Sequence, residues 1–145
     1  GHIVLAQRSA TKLIYPLLWD VSVAGHVDAG EGIEDAAVRE VNEELGISIT
    51  LDSLSKISVT ESFQNYGKNL IDNEFHHTFI SELRTDITQF KIDTNEVQAV
   101  KKISFEVFQE LIDKIDSSDH FVSKNKSHYQ FVLDQIKYKS KHDLI

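Results

Sequence analysis

Between residues 33 and 45 apolar side chains recur at every fourth position, Ile33, Ala37, Val41 and Leu45. That stripe predicts an amphipathic helix. Ahead of it, His2–Gln7 is a β-branched and aliphatic run and Trp19–Ala24 alternates apolar with polar, so both read as strands around a loop, Arg8–Pro16. Downstream, Ile57–Phe63 and Phe75–Glu82 read as strands. The polar loop between them, Gln64–Asn73, is long for a hairpin connection and is a candidate pocket wall. On the second strand Phe75, His77 and Phe79 share one face, while Glu74, His76, Thr78 and Ile80 share the other. Glu96–Ile103 reads as a further strand and Phe105–Ile115 as a helix. Asp116–Lys126 reads as a polar connector. A terminal helix to about Lys139 follows, with Ser127 as its expected cap and Tyr129, Val132, Leu133 and Ile136 as its packing side.

Composition narrows this picture. The 145 residues suit one domain, 1–145, with a core that needs no staples. Cysteine is absent, so there is no disulfide, no thiolate nucleophile and no Cys-ligated zinc. Methionine is absent too, even at position 1, and the first strand starts abruptly, so an N-terminal segment is expected to precede the chain. No apolar run reaches membrane-span length and no signal peptide stands out, which makes the cytoplasm the default expectation. A formal charge of −8 argues against nucleic-acid or anionic-membrane partners, but not against a small phosphorylated substrate delivered with metal.

The acids concentrate on the helix. From Glu31 to Glu44 there are six acids (Glu31, Glu34, Asp35, Glu40, Glu43 and Glu44) against one base, Arg39. At about 100° per residue, Glu40, Glu43 and Glu44 share one arc, in which Ala36 leaves room for a bulky group. Like charges at three and four residues repel, so something must offset them. Either the arc is a solvated acidic face, or it holds a hard divalent cation, which takes oxygen ligands and phosphate together. Gly25, Gly30 and Gly32 suit a tight loop before the helix, and Gly46 suits its C-terminal cap.

Gly25, Glu31, Arg39, Glu40, Val41, Glu43, Glu44, Gly46 and Ile47 stand in the spacing Gly-x5-Glu-x7-Arg-Glu-U-x-Glu-Glu-x-Gly-U, with U apolar. This resembles the complete signature of the Nudix hydrolases. The resemblance covers roughly residues 1–115. It implies an α+β fold, an α/β/α sandwich with a mixed β-sheet flanked by helices, and metal-dependent hydrolysis of a diphosphate linked to another group, X. It assigns Glu40, Glu43 and Glu44 to Mg²⁺ or Mn²⁺, with Glu40 also a candidate water-orienting base. Glu31 and Arg39 would brace the loop that starts at Gly25. The implied partner is a small-molecule diphosphate, and a homodimer is the expected assembly where there is one.

QRSATKLIYPLLWDVSVAGHVDAGE resembles the branch that also holds the isopentenyl diphosphate isomerases. Many relatives carry glycine where Leu17 stands. The isomerases place their catalytic cysteine just before Gly-His, whereas this chain has Ala24, which has no proton to exchange. Their signature is usually broken and this one is complete, so hydrolysis is favoured. By the same resemblance His26 takes the place of an isomerase metal ligand, and ligand, substrate-orienting group and loop filler all stay open. Arg8 and Lys12 are candidate donors to a phosphate. Asp72 and Glu74, with His76 beside them, are candidate substrate-contacting groups, and Glu96 is a candidate further ligand or base. Isomerase chemistry, a non-catalytic ligand sensor and a decapping-like RNA enzyme remain as alternatives, the last disfavoured by the acidic balance.

Overall fold

A computed structural model describes the backbone of residues 1–65, 67 and 71–142, and the side chains of these except 62–65, 71–74 and 124. Five strands and three helices follow in the order β1 (His2–Arg8), β2 (Trp19–Val21), α1 (Ile33–Leu45), β3 (Ser55–Asn65), β4 (Ile71–Ile80), β5 (Val97–Ser104), α2 (Phe105–Asp113) and α3 (Lys126–His142). β2, β1 and β5 form one antiparallel sheet in that order, and β3 pairs with β4 in a second. A parallel bridge joins Trp19 to Phe121. The fold is α+β, as the resemblance implies. Among the described residues no helix is long and apolar enough to cross a membrane.

Alternation along β1 decides which helix lies on which side. Ile3 and Leu5 join Phe108 and Ile112 of α2 and Tyr129, Val132 and Leu133 of α3 in one buried cluster. Ala6 and Arg8, on the other parity, line a pocket together with Glu44 of α1. α2 begins on Ser104, whose hydroxyl accepts the Val107 N–H at 3.1 Å, and buries Phe108 and Ile112 one turn apart. α1 carries Glu34 and Asp35 in its first turn, where its dipole favours acids. It ends on Gly46 at φ 68°, which donates to the Asn42 carbonyl at 2.9 Å. A Cβ on Gly46 would lie 2.6 Å from the Lys91 carbonyl oxygen. That close approach lets Lys91 and Asp93 donate to the otherwise orphaned carbonyls of Leu45 and Glu44, each at 2.9 Å.

Several boundaries differ from the sequence expectation. β2 stops at Val21 and β3 and β4 run further toward each other, because pairing register rather than composition sets their ends. The loop expected over Gln64–Asn73 is thereby shortened, and its role as a pocket wall lies outside the described residues. The connector after α2 is not a polar linker: Ile115, Phe121 and Val122 are buried, and Phe121 packs between Phe108 and Tyr129. Ser127 sits inside the first turn of α3, which starts one residue earlier, so it is not the cap. Leu17 takes φ 63° and Tyr15 φ 51°, on either side of Pro16. At Leu17 a left-handed conformation costs an L side chain about 1–2 kcal/mol.

Candidate active site

One arginine ties the loop of residues 25–31 to α1. Arg39 Nε and Nη2 donate to the two carboxylate oxygens of Glu31 at 2.8 and 3.0 Å, a planar fork that lysine cannot make. Nη2 also donates to the His26 carbonyl at 2.8 Å. Nη1 donates to Glu40 Oε1 at 2.9 Å and Glu43 Oε2 at 3.0 Å. Glu31 in turn accepts the Asp28 N–H at 3.1 Å, and the Arg39 fork holds its carboxyl below the usual carboxylate range. Replacing Arg39 by Lys keeps the charge and loses the fork. Turnover should fall about 10- to 100-fold, as for partners that orient a site from behind. A turnover within twofold of the original would mean that charge alone is enough.

Gly25 stands where it does because of Glu40. A Cβ at Gly25 would fall 2.3 Å from the Glu40 carboxyl carbon. Since that carbon ends a flexible side chain, Gly25→Ala should displace the carboxylate without unfolding the chain. The expected result is a loss of turnover of about tenfold or more with a melting temperature within about 2 °C. Unchanged turnover would remove Glu40 from the site.

Glu44 is the buried acid of the helix, on the same side as buried Ala36. It lines a small, mostly polar pocket with Arg8, Lys12, Asp20, Ala24 and Glu96. Burial, and then the charges of Glu40, Glu96 and Asp93, push its pKa up to about 8, and Lys12 acts in the opposite direction. Lys12 itself is paired with Glu96. A carboxyl group whose pKa is raised by burial and by neighbouring carboxylates fits a hard divalent cation, which would take the place of the proton on Glu44. Among the described residues no three His, Asp or Glu side chains are gathered into a ready-made metal site. Arg39 holds one oxygen each of Glu40 and Glu43, and the Glu43 side chain is 55% exposed.

The other predicted residues are scattered by comparison. Arg8 lines the pocket but anchors its own loop, Nε and Nη2 donating to the Ile14 carbonyl at 3.0 and 2.8 Å. His26 is an exposed residue that meets Arg39 only through its carbonyl. His76 is exposed on β4 opposite Thr60. The side chains of Asp72 and Glu74 lie outside the described residues. Sequence reasoning passed over Asp20 and Asp93. Asp20 was within reach, since the alternation of WDVSVA puts it on the same face as Ser22 and Ala24. Asp93 carries no local signal and arrives through its backbone bond to Glu44.

A NUDIX domain family model matches residues 1–124. The chain belongs to the Nudix family. It is 36% identical over 115 residues to an uncharacterized Nudix hydrolase of Clostridium acetobutylicum, covering 79% of this chain and 55% of that protein. It is 33% identical over 85 residues to an isopentenyl-diphosphate Delta-isomerase of Nocardia farcinica, covering 59% of this chain and 47% of that enzyme. The chain thus spans about half the length of each of these two relatives. The crystal structure of a MutT protein from Methanosarcina mazei superposes with a TM-score of 0.65 at 17% identity, covering 94% of this chain and 86% of that one, which speaks to the fold. Nudix hydrolases generally use divalent metal ions, in keeping with the donor set around Glu44.

Proposed function

We propose that this Nudix chain hydrolyses a diphosphate joined to an organic group X, with Glu40, Glu43 and Glu44 holding Mg²⁺ or Mn²⁺. The observation that carries the reading is Glu44, a buried carboxyl group on the intact signature helix that shares a pocket with two cations, Arg8 and Lys12. When bound there, the metal ion supplies a more acidic water and neutralises charge on the leaving phosphate. The chain's own groups do the positioning, which dominates catalysis in phosphoryl chemistry. Glu40, placed against Gly25 and held by Arg39, orients the attacking water and takes its proton. Lys12, released from Glu96, donates to a phosphate oxygen, and Arg8 adds positive charge on the same wall. Water oxygen bonds to one phosphorus, the bond to the bridging oxygen breaks, and that oxygen leaves with the second phosphate.

Similarity to an isomerase does not carry over to isomerase chemistry, because Ala24 lines the pocket and the chain has no cysteine. The test is release of phosphate or phosphomonoester from nucleoside diphosphates, nucleotide sugars, dinucleotides and prenyl diphosphates, with Mg²⁺, Mn²⁺ or EDTA. Metal-dependent cleavage of one or two members is expected. Tight binding of one member with no cleavage of any would make the chain a ligand sensor instead.

A further inference from the structure

A second cluster of titratable side chains, Lys101 and His120 with Trp19, lies apart from the pocket around Glu44, which none of the three lines. Lys101 of β5 pairs with Leu5 of β1. Directly opposed residues share a face, so its side chain projects to the side on which Leu5 meets α2 and α3. There Lys101 Nζ lies 4.1 Å from the centre of the Trp19 ring and 2.8 Å from His120 Nε2. The Trp19 and His120 rings stack at 5.8 Å between centroids, with their planes 17° apart. His120 is fixed from behind, its ring edge-on to Phe121 at 4.9 Å and its carbonyl accepting the Trp19 N–H at 2.8 Å. All three side chains are only partly buried, so a small solute can reach them.

An ammonium group offers donors and no acceptor, so Nε2 of His120 accepts in this contact and the ring proton is on Nδ1. A protonated His120 would set two cations 2.8 Å apart. What the cluster lacks is an acid. Among the described residues no carboxylate pairs with Lys101, and burial alone holds its pKa below the usual lysine range. His120 is lowered as well, first by burial and then by the charge of Lys101. The indole face attracts the ammonium and works the other way, but its main effect is to hold the amine against the imidazole. A lysine that is partly desolvated and has no carboxylate to keep it charged is a stronger nucleophile near neutral pH than a solvated one. The neighbour that accepts its hydrogen bond is also the group that can carry its proton away.

We propose that Lys101 is an acylation site, its amine attacking the carbonyl carbon of a small acyl phosphate with His120 as the proton acceptor. One proton passes from the ammonium to Nε2, leaving an amine whose lone pair bonds to the carbonyl carbon. The bond from that carbon to the phosphate oxygen breaks, and phosphate leaves with the electron pair. The nitrogen gives its second proton to solvent, and Nε2 returns the first. The product is a neutral amide on Lys101, with nothing oxidised or reduced. An acyl phosphate suits the place because it is small and anionic, and neither neighbour of Lys101 carries a negative charge. The reaction is independent of diphosphate hydrolysis.

The test treats the full chain with a limiting amount of acetyl phosphate at neutral pH and follows acetylation of each lysine by peptide mass spectrometry. Lys102 is the internal control, being the next residue, exposed and on the other face of β5. Lys101 should be acetylated about tenfold faster than Lys102 or more, the gain in free amine that one unit of pKa brings. In guanidinium chloride, where the cluster is dispersed, the two rates should converge to within about twofold. His120→Gln keeps an acceptor for the ammonium but removes the base, so the ratio should fall to about one. Acetylation of Lys101 no faster than that of Lys102 in the folded chain overturns the proposal, as does a ratio that survives in guanidinium chloride. A ratio unchanged in folded His120→Gln also overturns it, because the cluster would then be only a staple between β2 and β5. If His120→Gln does not fold, the comparison of folded and unfolded parent decides alone.

Discussion

Glu44→Gln is expected to lower turnover about a thousandfold, or about 4 kcal/mol of barrier, while the chain stays folded. The substitution removes the one signature carboxylate that is buried in the pocket and leaves its shape nearly intact. Turnover within threefold of the parent would take Glu44 out of the mechanism. The same variant separates site from scaffold through pH. With a folded pKa of about 8 against an ordinary 4.5, Glu44 keeps its proton in the folded chain and loses it in the unfolded chain over that interval. The folded state binds more protons, so stability declines as pH rises from about 4.5 to 8. Glutamine carries no such cost. In EDTA, Glu44→Gln should melt higher than the parent at pH 8, by at least about 3 °C, and close to it at pH 4.5. A divalent cation should raise the parent's melting temperature at pH 8 and leave the variant's nearly unchanged. A variant that melts lower than the parent at pH 8 would mean that Glu44 is stabilised by contacts rather than strained by burial.

Phe108→Ala should produce the largest loss of stability, about 3–5 kcal/mol. Phe108 is fully buried at the centre of the cluster, edge-on to Phe121 at 5.8 Å and tilted to Tyr129 at 6.4 Å. Truncation opens a cavity bounded by β1, α2, α3 and the segment before α3, none of which can collapse into it alone. At about 2–4 °C per kcal/mol for a chain of this size, the melting temperature should drop about 10 °C. Val107→Ala, one residue away but 42% exposed, serves as the control and should change stability by under about 0.5 kcal/mol. If the two substitutions cost the same, the cluster is not the core.

α1 was legible residue for residue. Its apolar stripe predicts Ile33–Leu45, and those are its ends. Two further expectations have direct counterparts in the geometry: Glu31 with Arg39, and Gly46 in the left-handed cap. The buried side of the helix was less legible. Ala36 and Glu44 are buried while Ile33, Ala37 and Val41 are only partly so, because the pocket and the segment at Lys91–Asp93 cover the acidic side. Composition also misled in the connector, where Phe121 and Val122 among polar neighbours turn out to complete the core.

The sequence by itself determined the family, the signature helix and the brace around Arg39, because all of these act within about two dozen residues, where a helical period and fixed spacings leave little choice. Only the tertiary structure decided what surrounds Glu44 and what lines the pocket. Lys12 meets Glu96 across 84 residues and Tyr129 reaches Asp20 across 109. Such pairs arise where segments far apart in the chain pack around the sheet of β2, β1 and β5, and no local pattern encodes which distant side chain the packing delivers.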